Sequence, residues 1–325
     1  MKSLAIAWAA VAIAAAHAAE LPHYHAGQPV AGDIRIWGSP EDTSLVNFWE
    51  AGFRKFHPNA RVVASLHGPD SAMAGIYTGV ADISFVGREL RMPVEIMAFQ
   101  WVKLYKPTTI EVANASLAAR RVASNLAVFV HPGNPVSGLT VAQLDGIFGA
   151  EHKRGAASLR KWGDVGLTGA WRDRPIRVLA PEVTSVPALF FRHAVMGDSL
   201  KWNPALEEFA SPEKAIDLVA EDPAAVTYAP LALAKDIAVK TLPLAAKEGG
   251  EFVLPTAASV AEHRYPLART VIVAIDRPAG KPVDPKVREF LRYVLSAEGQ
   301  AAIARDGAYV PLSAADAERQ AKLLD

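Results

Sequence analysis

Residues 66–90, LHGPDSAMAGIYTGVADISFVGREL, carry a strand end, a small polar turn, a helix and a second strand in close succession. Gly68 and Pro69 break the strand, Asp70 or Ser71 is placed to act as N-cap, and Ala72 to Tyr77 is short-chained and helix-tolerant. Such a turn aims free backbone N–H groups and the positive end of the helix dipole at whatever lies above it. The same order recurs where strand-like Ile176 to Leu179 leads through Pro181, Glu182, Thr184 and Ser185 into the apolar run Pro187 to Val195. Two such helix starts facing one another predict a cleft that closes on a polar or anionic solute.

Outward from this stretch the chain alternates between strand and helix. Asp33 to Trp37 is strand-like and ends in Gly38-Ser39-Pro40; Leu45, Phe48, Trp49, Phe53 and Phe56 then recur at helical spacing, with His57-Pro58-Asn59 as the stop. Arg61 to Leu66 and Ala81 to Val86 complete three strands, the last apolar enough for the interior of a parallel sheet. Such alternation predicts α/β architecture with right-handed crossovers and a ligand site beyond the carboxyl ends of the strands, where Ser39, Ser71 and Arg88 would gather.

From Glu111 to Asn125 the pattern changes: TTIEVANASLA passes through Arg120-Arg121 to another strand at Leu126 to Val130. This reads as a crossing between lobes, with a second crossing expected between Val253 and Ala268. Leu139 to Phe148 is helical, Val226 to Ala229 and Arg269 to Ala274 are strands, and Val287, Phe290, Leu291, Val294 and Leu295 form an apolar stripe that should pack on the first lobe. The expected division is a leader at 1–18, lobe I at 19–118 with 262–325, and lobe II at 119–261.

The leader has Lys2, an apolar run from Leu4 to Ala16 and an Ala16-His17-Ala18 cleavage site. The run is too short for about 30 Å of hydrocarbon, so it reads as a cleaved secretory signal and not an anchor. No other segment is apolar enough to span a bilayer, and the absence of cysteine excludes both disulfides and a lipidated N-terminal cysteine. The expectation is a soluble, monomeric periplasmic protein that is not membrane-embedded. Removing the leader leaves 33 basic against 34 acidic residues, a net charge of −1, and the basic residues are scattered; nucleic acid is therefore not an expected partner. The 51% apolar content excludes a disordered chain.

Catalytic signatures are missing. There is no G-x-S-x-G elbow, H-E-x-x-H pair, phosphate-binding G-x-x-x-x-G-K-[ST] loop or cysteine nucleophile, so the chain is read as a non-enzyme without cofactor or metal. The pair His23 and His25 lies on the mature N-terminus, where two histidines do not make a structural metal site. Trp162 reads as a packing residue under a loop.

In order, Gly38-Ser39, GVADISFVGREL (79–90), LAVFVHPGNPVSGLTVAQLDGIFG (126–149), KWGDVGLTGAW (161–171), VTYAPLALAKD (226–236), YPLARTVIVAID (265–276) and FLRYVLSAEGQAAIARDGAYVPL (290–312) resemble the PstS-type periplasmic substrate-binding proteins of phosphate ABC transporters. The resemblance covers nearly the whole mature chain. It implies an α/β, two-lobed type II periplasmic-binding-protein fold in which each lobe is a mixed, mostly parallel sheet flanked by helices. It also implies a small anionic or polar solute held between helix N-termini and an ABC permease as partner.

The family's phosphate ligands fall on Ser39, with Thr43 and Ser44 close behind, on Gly68, Asp70 and Ser71 in the second turn, on Arg88, and on Glu182, Thr184 and Ser185 in the second lobe. Three departures stand out. Pro69 replaces a serine, Gly87 stands where an aspartate accepts the phosphate proton, and the guanidinium of the second lobe falls on Ala180. With Glu182 adding repulsion, the expectation is weakened phosphate binding in favour of a less charged or larger solute. Each polar residue also suits a plain structural role: Ser39, Ser71 and Thr184 as helix caps, Arg88 as a partner of Glu89 or Asp82. A sensor or interaction protein that keeps the fold without transport, and a phosphatase-like enzyme, are the alternative readings.

Overall fold

A computed structural model describes residues 21–91, 94–155 and 157–325; the expected leader and its cleavage site lie outside the described residues. The strands are β1 (Gly32–Gly38), β2 (Ala60–Leu66), β3 (Ile83–Phe85), β4 (Thr108–Asn114), β5 (Leu126–Val130), β6 (Leu139–Thr140), β7 (Arg177–Pro181), β8 (Glu207–Phe209), β9 (Ala225–Pro230), β10 (Lys240–Thr241), β11 (Leu244–Ala245) and β12 (Thr270–Ile275). Between them run helices α1 (Thr43–Phe53), α2 (Pro69–Tyr77), α3 (Val94–Lys103), α4 (Val141–Phe148), α5 (Val186–Met196), α6 (Pro212–Glu221), α7 (Ala257–Ala261), α8 (Pro285–Val294), α9 (Ala297–Asp306) and α10 (Ala314–Ala321).

Two five-stranded sheets result, in the orders β2-β1-β3-β12-β4 and β10-β5-β9-β7-β8. In the first, β1 runs parallel to β2 and β3 while β12 is antiparallel to β3 and β4, so four strands point one way and β12 alone is reversed. In the second, β5 is antiparallel to β9 and β10 and the rest share one direction. Each reversed strand is the one that follows a crossing between the sheets. Consequently the amino ends of β5 and β12 lie at the same sheet edges as the carboxyl ends of their neighbours.

The inner strands of each sheet are buried on both faces because they are largely apolar and helices cover them. Trp49 and Phe53 of α1 pack with Phe290, Leu291 and Val294 of α8 over one face of the first sheet, and Trp49 donates its indole N–H to the Gly299 carbonyl at 3.1 Å. The stripe read from 287 to 295 thus covers the first sheet. Met73 and Ile76 of α2 and Phe99 of α3 cover the other face. In the second sheet, α4 and α5 pack over Val128, Val178 and Tyr228, where Phe191 stacks on Tyr228 at 3.7 Å between ring centroids. Helix α6 covers the opposite face through Ile216 and Val219. Trp162 is fully buried in that second core and donates to the Ala224 carbonyl, as its reading as a packing residue requires.

The crossings run side by side and are tied by one side chain. Asn125 donates to the carbonyls of Ala115 (2.8 Å) and Ser116 (3.1 Å) and accepts the Arg269 N–H at 2.7 Å, so its amide satisfies both passing chains. Tyr265 and Leu267 still pack in the second core, and the chain re-enters the first sheet at Thr270.

Candidate functional site

A cleft of about 270 Å³ opens where the two sheets face one another. Its walls follow from the topology: Ser39, Gly87 and Pro230 at or just past the carboxyl ends of β1, β3 and β9, and Ser124 and Arg269 just before the reversed strands β5 and β12. The first residues of α2 (Pro69) and α5 (Val186, Pro187) complete it, so the two helix starts singled out in the sequence do converge on one space.

The turns themselves differ from expectation. Gly68, at φ +118°, is the N-cap of α2; neither Asp70 nor Ser71 caps it. Pro69 sits at the first helical position, which a fixed φ and a missing N–H suit, and this pushes both polar residues into the helix. Ser71 donates to the Gly68 carbonyl at 2.8 Å, and Asp70 reaches outward to Arg91 at 2.5 Å. Thr43 bonds the Pro40 carbonyl at 2.6 Å, Ser44 is exposed, and neither lines the cleft. In the second lobe Glu182 and Thr184 are exposed outside the cleft lining, while Ser185 is the N-cap of α5 and accepts from the Ala188 N–H at 3.4 Å. Ser185→Ala is therefore expected to lower stability by about 1 kcal/mol in the absence of any ligand; urea unfolding of the ligand-free variant measures it, and unchanged stability would assign the hydroxyl to a ligand instead.

Arg88 lines the cleft, but its charge is already matched. Its two terminal nitrogens bond Glu95 at 2.6 and 3.0 Å, with the pair buried to 8% and 5% side-chain exposure, and it also donates to the Glu89 carbonyl. The partner is thus Glu95, not Glu89 or Asp82; Asp82 binds Arg35. Arg269 is likewise paired, with Glu89 at 2.7 and 3.1 Å. The other two cations of the cleft are Arg120, which pairs at 3.9 Å with the exposed Asp236, and Arg121, which makes no ion pair among the described residues.

Ala180 lies fully buried on β7 and packs with Val178 in the second core. An arginine there would enter the hydrophobic interior and not the cleft, so the carry-over of a ligand guanidinium to that position is corrected.

Beside Gly87 lies a carboxyl from elsewhere in the chain. Gly87 adopts φ +73°, and a Cβ there would lie 2.9 Å from the Tyr309 hydroxyl and 3.1 Å from Asp42 Oδ2. The space is taken by Asp42, which lines the cleft with 2% exposure and accepts the Tyr309 hydroxyl on Oδ1 at 2.8 Å. Burial pushes its carboxyl up to about 7; the Tyr309 hydrogen bond pulls it down, and Glu41 and Asp306 push it further up. Asp42 is the N-cap of α1 by position yet makes no capping bond, because its side chain turns to Tyr309. Ser39 bonds the neighbouring Glu41, which keeps that carboxyl below its ordinary value. Among the described residues no group of three or more His, Cys, Asp or Glu is placed to hold a metal ion.

Two mostly parallel sheets, each joined to its crossing by a single reversed strand and bordering a shared cleft that holds four arginines and two acidic residues, define a two-lobed solute-binding protein of the type II periplasmic class. A profile of the PBP superfamily domain matches residues 24–298. The chain is 32% identical over 319 residues to the phosphate-binding protein PstS of Pseudomonas aeruginosa, spanning 97% of this chain and 94% of that one. It is 25% identical over 267 residues to protein SphX of Synechococcus elongatus, spanning 81% and 72% of the two chains. Among solved structures, PstS of Borrelia burgdorferi superposes with a TM-score of 0.58 at 16% identity, covering 86% of this chain and 98% of that one. An ABC-type phosphate transport receptor from Vibrio cholerae gives 0.54 at 23% identity, covering 86% and 100%; at these identities the likeness is one of fold. The chain belongs to the PBP superfamily and, within it, to the PstS-like substrate-binding proteins.

Proposed function

We propose that this protein captures phosphate or a related small oxyanion between its lobes in the periplasm and delivers it, as a monomer, to an ABC permease. The observation that carries the reading is the cleft at the facing strand ends, where the starts of α2 and α5, a buried carboxyl and the Arg121 guanidinium, which makes no ion pair among the described residues, meet. The names of the PstS relatives and of the phosphate transport receptor point to the same ligand class and to binding without catalysis. Among the described residues no helix is long and apolar enough to cross a membrane. Export rests on the leader, and N-terminal sequencing of periplasmic material is expected to begin at Ala19; uncleaved protein would contradict it.

We take 19–118 with 269–325, and 119–268, as the two closing bodies, moving the second boundary from residue 262 to the Ala268–Arg269 step because Tyr265 and Leu267 pack in the second core. Phosphate affinity should be modest. Arg88 and Arg269 spend their charge on Glu95 and Glu89, and the Glu41 carboxylate stands in the cleft wall. Each charge-assisted hydrogen bond forgone is worth roughly 1.5–3 kcal/mol, so calorimetry at neutral pH is expected to give a Kd above about 1 μM. Submicromolar binding would overturn the affinity argument, and absence of binding at millimolar phosphate would overturn the ligand.

A further inference from the structure

The crossing from β4 to β5 does not take the direct route. The chain leaves at Ser116 and returns to the same point at Ser124: Ser116 pairs with Ser124, donates its N–H to the Ala123 carbonyl at 2.8 Å, and accepts the Asn125 N–H at 2.9 Å. The Ser116 hydroxyl accepts the N–H groups of Ala118 (3.2 Å) and Ala119 (2.7 Å), closing the base of the excursion. Leu117 packs on the second core while Val122 and Ala123 pack on the first, so the loop 117–123 is anchored to both bodies. Its tip is Arg120-Arg121, two exposed guanidiniums in the wall of the cleft.

The two arginines face different bodies. Arg120 approaches the Leu233 carbonyl at 3.4 Å and the Asp236 carboxylate at 3.9 Å, both on the second. Arg121 makes no hydrogen bond or ion pair among the described residues, although it lies near enough to Glu41 to help lower that carboxyl, after the Ser39 hydroxyl. A guanidinium held in a cleft whose buried arginines are all matched has its planar fork of donors free for two oxygens on one centre.

We propose that the loop 117–123 is an anion clamp built into the hinge, with Arg121 contacting an oxyanion in the cleft and Arg120 holding the loop against the second lobe. The proposal rests on the reading of the cleft as an anion site and assigns the charge that makes it one. It places the cationic contact on the crossing, between the lobes, and makes Glu41 the internal competitor for Arg121. The clamp takes the chemistry common to phosphate, phosphonates and sulfate: a tetrahedral centre presenting at least two unprotonated oxygens.

The test is isothermal calorimetry of the mature protein with inorganic phosphate, methylphosphonate and sulfate, on wild type, Arg121→Gln, Arg121→Lys and Glu41→Gln. Arg121→Gln is expected to weaken binding at least tenfold with an unchanged melting temperature in the absence of ligand. Arg121→Lys should restore part of it, and Glu41→Gln should tighten it severalfold. Raising salt should weaken wild type more than Arg121→Gln. If wild type binds phosphate and Arg121→Gln binds it equally, the clamp is overturned and the functional reading stands. Arg121-dependent binding of methylphosphonate or sulfate without phosphate supports the clamp and overturns phosphate as ligand. Binding of none of the three anions overturns both.

Discussion

Ala180→Arg is expected to abolish the soluble folded state, or at least to lower its stability by several kcal/mol, and not to create a phosphate site. Ala180 is fully buried on β7, between β9 and the edge strand β8, and its neighbours in the core include Val178, Ala188 and Phe191. A guanidinium there overfills a packed interior and leaves a charge without a partner. Overpacking alone costs about 1–3 kcal/mol, and an uncompensated buried charge about 3–5 kcal/mol. Against a total stability of about 5–15 kcal/mol, that is a large fraction. Thermal melting and the soluble yield of the variant measure it. A soluble Ala180→Arg protein melting within a few degrees of wild type would mean that residue 180 does not lie in a packed interior on either face of the sheet.

Asp42→Asn is expected to change the pH dependence of stability strongly. The Asp42 carboxyl titrates at about 7 in the folded protein against an ordinary value of 3.8. Between those values the folded state holds a proton that the unfolded state has released, so stability falls as pH rises through that window and stays low above it. A displacement of this size corresponds to roughly 4 kcal/mol above pH 7. Asparagine keeps an acceptor for the Tyr309 hydroxyl and has no charge to lose, so the variant should gain on wild type from pH 4 to about pH 7 and hold that gain above it. Urea unfolding across that range decides the matter; parallel curves for the two proteins would show that Asp42 stays charged at little cost.

The alternation of elements was legible because it rests on apolar spacing alone. Trp49 and Phe53 on α1, and Phe290 and Leu291 on α8, lie where helical periodicity places them, in the first core. The reading was weaker wherever several residue types satisfy the same local rule. Asp70 and Ser71 each suit a helix N-cap, and Pro69, by occupying the first helical position, moves that role back to Gly68. Arg88 read as a ligand or as a partner of Glu89 or Asp82, and pairing with Glu95 depends on where α3 packs, which no local pattern encodes. Asp42 was missed because an acidic residue just before an apolar helix reads as a cap; only Tyr309, from the far end of the chain, turns it aside. Arg120 and Arg121 were visible as a dipeptide in the crossing, but nothing in their spacing said that the chain doubles back at Ser116 and Ser124 to hold them over the cleft.

Strand β12 has a consequence for how the chain is made. It lies between β3 and β4, whereas residues 115–269 build the other sheet. A chain emerging from its amino end can pair β1 with β2 and β3, but β3 and β4 each keep an open edge until the last fifth of the molecule arrives. The second sheet, whose strands all lie within 126–241, meets no such delay. Domains tend to fold as units during synthesis, and unpaired edges invite pairing with other chains. The inserted body should therefore become protease-resistant before the body that encloses it in sequence, and a nascent chain stalled before Thr270 should need a holding chaperone for its first hundred residues while the later ones are already folded.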